Sequence, residues 1–157
     1  MSRIAFLVSE TRYKVVLDTI KMLEAEKHDV RVYSHEKEKE FIKRTHLDKI
    51  DLLVTFDYMG YEIQSLTGGI SLNFIHSKVL NFVCEKEFIA KSFLKDNPIS
   101  ISHFFYYADK TVMGKSVEAY PQIPFAKLME IEEEDDKKNG TILYDSICEV
   151  LKMCHID

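Results

Sequence analysis

The sequence predicts an α/β domain on a mostly parallel sheet, and three observations carry that expectation. Three short apolar runs, residues 4–8, 30–33 and 52–56, alternate with two polar stretches of helical pattern in the first third of the chain. The third run, Leu52-Leu53-Val54-Thr55-Phe56, is nearly uniform rather than alternating, as in strands covered on both faces. Two further strand-like runs, 79–84 and 99–107, follow later in the chain. A β-α-β rhythm of this kind is nearly always a right-handed parallel crossover, which places ligands at the carboxyl ends of the strands.

Each element has its own warrant. After strand one, Thr11 is expected to cap a helix over residues 12–27, with Val15, Val16, Ile20, Leu23 and Ala25 on its inner face. Lys27-His28-Asp29 turns the chain into strand two. Residues 35–44 are highly charged and offer only Phe41 and Ile42 to a core, which predicts a thin surface helix. Asp57 to Glu62 forms a polar-aromatic loop after strand three, and Thr67-Gly68-Gly69 breaks the chain before a short segment at 70–76. Strand four spans 79–84 and a helix spans 85–94. Asp96-Asn97-Pro98 is a turn, and the β-branched and aromatic run 99–107 is strand five. A helix over 111–119 stops before Pro121, and 125–131 is a candidate last strand. Residues 132–136 read as a solvated acidic loop. Asn139-Gly140-Thr141 then starts a closing helix, with Ile142, Leu143, Ile147, Val150 and Leu151 inward. The whole, residues 1–157, reads as a single three-layer domain of Rossmann-like or flavodoxin-like kind, with five to six strands.

Composition bounds the function. At 157 residues, 46% hydrophobic and 30% charged, the chain suits one globular domain, burying roughly two-thirds of its unfolded surface at this size. A net charge of −5 argues against a general phosphate-backbone surface, so nucleic acid is not the expected partner. No apolar run approaches the roughly 20 residues that cross a bilayer, and the apolar start ends too soon for a signal core, so a cytoplasmic, membrane-free setting is expected. Cys84, Cys148 and Cys154 are then reduced thiols. They lack a Cys-x-x-Cys spacing, and no metal site is expected.

Candidate chemistry lies at the strand ends. The first turn, Val8-Ser9-Glu10-Thr11-Arg12, has no glycine, and no Walker-type Gly-Lys-Ser/Thr occurs, which argues against a tightly held dinucleotide or a P-loop triphosphate. Ser9 and Thr11 remain as hydroxyl donors beside free helix amides. The Gly68-Gly69 pair supplies a backbone nest, with Thr67 before it and Asn73 and His76 after it. His76 is the histidine best suited to acid–base work; His28, His46 and His155 sit in polar or terminal sequence and are expected to face solvent. The candidate site is therefore Ser9, Thr11, Tyr58, Thr67, Gly68, Gly69 and Asn73 for binding, with Asp57 and His76 as the chemical groups. In it the Gly-Gly amides and the hydroxyls hold an anionic or sugar group, Tyr58 stacks, and Asp57 accepts hydroxyl hydrogens.

The spacing of the first three strands, with an aspartate at the end of the third, resembles the phospho-accepting receiver domains of bacterial two-component systems across residues 3–110. The resemblance implies Asp57 as acceptor, Glu10 as one metal-binding acid and Lys110 as the lysine after strand five. It departs at Ser9, where a second acid is expected, at Cys84, which replaces a hydroxyl residue, and after Lys110, where no proline follows. The segment 99–108, a helix, and then Tyr120-Pro121-Gln122-Ile123-Pro124 is similar to the later part of the amino-terminal half of two-domain glycosyltransferases. That likeness implies an acceptor-side domain without its nucleotide-sugar half. Three functions are therefore in view. The chain binds a nucleotide, nucleotide sugar or other small polar ligand; or it is a non-catalytic protein-interaction module, with homodimerisation in scope; or it is a degenerate receiver-like signalling domain. The sequence specifies no cofactor and leaves open whether the chain is an enzyme.

Overall fold

The computed structural model describes residues 2–34, 48–57, 59–61, 72, 75–83, 103–107, 136–154 and 156. Five strands are described: β1 (Arg3–Val8), β2 (Asp29–Ser34), β3 (Leu52–Phe56), β4 (Lys78–Val83) and β5 (His103–Tyr107). With them are two helices, α1 (Glu10–Ala25) and α2 (Asp136–Met153). The strands pair in the order β2-β1-β3-β4-β5, and every pairing is parallel. An α/β fold with an all-parallel sheet is thus what these residues form.

Alternation along the central strands sorts the core into two faces. Ile4, Phe6 and Val8 of β1, Leu52, Val54 and Phe56 of β3, and Leu80 and Phe82 of β4 share one cluster with Val16 and Leu23 of α1 and with Leu143, Ile147 and Val150 of α2. The two helices pack on each other over that face. Within it the Phe56 and Phe82 rings, register partners, stack with centroids 5.5 Å apart. On the opposite face Ala5, Leu7, Leu53, Thr55, Val79 and Asn81 are equally buried. Tyr61 and Leu72 are buried too, and Gly60 lies between the side chains of Leu7 and Leu72. A sheet buried on both faces explains why residues 52–56 show no polar alternation.

β1 to β4 begin within a residue of where the sequence places them, β5 is described from His103 with the expected residues 99–102 outside the described residues, and the helices shift. α1 starts at Glu10, two residues before the expected start, and its N-cap is Ser9 rather than Thr11. Ser9 holds the extended conformation of an N-cap (φ −82°, ψ 165°), although its side chain makes no capping bond. The buried stripe of α1 runs Val16, Thr19, Leu23, with Ile20 half-buried; Ala25, expected inside, is exposed. Thr19 therefore occupies the i+3 place on the helix face that an apolar count overlooks. At its carboxyl end the helix closes in a Schellman motif. The His28 N–H donates to Leu23 O at 3.1 Å, the Lys27 N–H to Glu24 O at 2.9 Å, and Lys27 takes φ +68°. α2 begins at Asp136, so Asn139-Gly140 lies inside the helix instead of starting it, and the expected acidic loop loses its last residue to the first turn.

The amino edge of the sheet is fixed by Arg3. Its N–H donates to Asp51 Oδ2 at 2.7 Å, its Nε to Asp29 Oδ2 at 2.7 Å, and its Nη1 to the carbonyl of Asp48. Asp29 also accepts from Arg31 at 3.0 and 3.2 Å, and Tyr33 Oη donates to Asp48 Oδ2. One guanidinium thus ties the entries of three adjacent parallel strands, where no hairpin is available to set their register. Ser77 Oγ donates to Ile50 O at 2.8 Å and does the same between the β3 and β4 entries.

The expected helices at 35–44, 85–94 and 111–119, the candidate strand at 125–131 and the acidic residues 132–135 lie outside the described residues.

Candidate functional site

The sheet order sets the geometry of the candidate site. β1 has β2 on one side and β3 on the other, so the chain reverses its direction of travel across the sheet at β1. After β1 it enters α1, which packs on the face holding Ile4, Phe6 and Val8. After β3 it turns through residues 57–61 to the opposite face, where Gly60 meets Leu7. In open parallel sheets such a reversal is where ligands are taken, outside the carboxyl ends of the strands, here β1 and β3.

Two expected site residues stand at those strand ends. Leu7 and Thr55 are the last register partners of β1 and β3; two residues on, Ser9 is the N-cap of α1 and Asp57 the first residue after β3. Both are half-buried. Asp57 adopts φ +50°, a left-handed conformation uncommon for a residue with a side chain. The turn around it is held from several sides. The Asp57 N–H donates to Phe82 O at 2.8 Å, the Met59 N–H to Phe56 O at 2.9 Å, and Thr55 Oγ1 to Met59 O at 2.9 Å. Gly60 takes φ +92° and Tyr61 is fully buried. Glycine is required at position 60, because a Cβ would stand 3.2 Å from Leu72 Cδ1 and 3.3 Å from Leu7 Cδ2. Gly60, outside the expected Gly68-Gly69 nest, is thus a position where the chain needs glycine. A lone glycine four residues past a strand end is the available signal.

His76 is at the other end of the sheet. It is exposed and precedes β4, next to Ser77 and Lys78, which bond to Ile50 and Asp51 at the entry of β3. Asp57 follows the exit of β3, so five strand residues, about 17 Å of chain, separate the two edges. One small ligand does not reach both. In the chain His76 lies close after the glycine pair, but in the fold it directly precedes β4, at the amino edge. The backbone of Thr11 lies in the first turn of α1. Tyr58, Thr67, Gly68, Gly69 and Asn73 lie outside the described residues.

His28, expected to face solvent, has a side chain only 11% exposed. Its Nδ1 lies 2.8 Å from Ser2 Oγ, and Glu26, beside it, accepts from Tyr144 Oη of α2. That hydrogen bond from Tyr144, assisted by burial, holds the phenol well above its usual range. Burial likewise raises the thiols of Cys148 and Cys154, both free, which makes them poor nucleophiles at neutral pH. Cys84 lies outside the described residues.

Among the described residues no three His, Cys, Asp or Glu side chains gather to hold a metal ion, and no helix is long and apolar enough to cross a membrane. No protein-family model matches the chain, and no curated protein matches its sequence.

Proposed function

We propose that residues 1–157 form one three-layer, doubly wound domain of the Rossmann-like, flavodoxin-like kind. It binds a nucleotide, nucleotide sugar or other small polar ligand in the crevice at the carboxyl ends of β1 and β3. One observation carries the reading: the strand order reverses at β1, with Ser9 following β1 and Asp57 following β3, its neighbour. Open parallel sheets take their ligands at such reversals. In this reading Asp57 accepts ligand hydroxyl hydrogens, Ser9 and Thr11 contribute from the start of α1, and Tyr58, Thr67, Gly68, Gly69 and Asn73 complete the pocket. His76 is left out of it. The acidic charge balance directs the proposal away from nucleic acid, and a cytoplasmic setting belongs to the same reading.

A thermal-shift screen of the purified chain tests it, using nucleotides, nucleotide sugars, simple sugars, and acetyl phosphate with magnesium. A binder present at a hundred times its Kd adds about 2.7 kcal/mol, or roughly 5–10 °C for a domain of this size. Stabilisation by a nucleotide or sugar that disappears in Asp57→Ala supports the site. A shift that survives Asp57→Ala moves the ligand elsewhere on the fold.

A second reading, a receiver-like acceptor, is favoured by one feature: Asp57 directly follows β3, the strand beside β1. Its signature is an acetyl-phosphate response lost in Asp57→Asn. A flat screen favours an interaction module instead, and light scattering of the same sample then tests for a homodimer.

A further inference from the structure

We draw no further inference here: the strongest candidate, the Arg3–Asp29–Arg31–Asp48 side-chain cluster at the amino edge of the sheet, carries nothing because its charged groups bond one another to tie the strand entries together and no second observation there points to a ligand.

Discussion

The backbone N–H of Asp57 donates to the carbonyl of Phe82 at 2.8 Å, extending the β3–β4 pairing one residue past the end of β3. That bond, with the turn closed by Met59, holds Asp57 at φ +50°. The left-handed conformation costs an ordinary residue about 1–2 kcal/mol. A glycine would avoid the cost, and the chain carries an aspartate where its parallel strands open.

Asp57→Gly is therefore expected to raise stability by about 0.5–1 kcal/mol, a gain of roughly 2–3 °C in Tm, while removing the response to the ligand. Lys27 is the control. It holds φ +68° in the Schellman turn after α1, at the amino edge, and its side chain is exposed. Lys27→Gly should give a similar gain with the ligand response intact. Calorimetry of both variants, with and without the ligand found by the screen, separates the two effects. A response that survives in both would place the ligand away from the ends of β1 and β3.

Gly60→Ala should do the reverse. The added methyl meets Leu72 and Leu7 at 3.2 and 3.3 Å, and φ +92° is strained for any L residue with a side chain. A loss of about 1–3 kcal/mol is expected, read as a lower urea midpoint at unchanged m-value. An unchanged midpoint would mean that the turn has room to relax and does not fix Asp57.

The strands were legible in the sequence because buried parallel strands concentrate apolar residues in short runs: residues 4–8 and 52–56 mark β1 and β3 to within a residue. Helix ends were less legible. Ser9 and Thr11 are both good cap residues, and the sequence could not show that the helix begins one residue after the strand exit. In α1 the buried face includes Thr19, whose polarity hides it from an apolar count, and excludes Ala25, whose size suggested burial. The site was half legible for a topological reason. Ser9 and Asp57 each follow a strand, so alternation alone puts them on one edge. His76 precedes strand four in the sequence expectation as in the structure, which already puts it at the opposite edge; its closeness in the chain to the glycine pair obscured that.

Stability should fall in acid through Asp29. The hydrogen bond from Arg31, and then that from Arg3, holds its carboxyl below the ordinary value of 3.8. Near that pH the unfolded chain takes up a proton that the folded chain refuses. The stabilisation is thus complete above about pH 4 and is lost as pH falls through the lowered folded value. Asp29→Asn should be less stable than the parent at pH 7, and the gap should close on acidification below pH 4. Because Asp29 and both arginines are partly exposed, the gap should also narrow in 1 M salt. Urea titrations at pH 3, 4 and 7 read it directly. A gap independent of pH would assign the loss to packing and not to the carboxylate.

Ser146 offers a stabilising change of another kind. It is fully buried on α2, between the core residues Leu143, Ile147 and Val150, and its Oγ has no hydrogen-bond partner among the described residues. A hydroxyl removed from water without a replacement bond costs about 1–3 kcal/mol. Ser146→Ala removes the hydroxyl, leaves almost no cavity and favours the helix, so a gain of about 1 kcal/mol is expected. Ser146→Val keeps the site apolar but adds a methyl where α2 packs on α1, and should lose stability by overpacking. Thermal melts of the two variants decide between polarity and space. If valine is tolerated as well as alanine, the α1–α2 contact is looser than its buried residues indicate; if alanine destabilises, the Ser146 hydroxyl is bonded in solution.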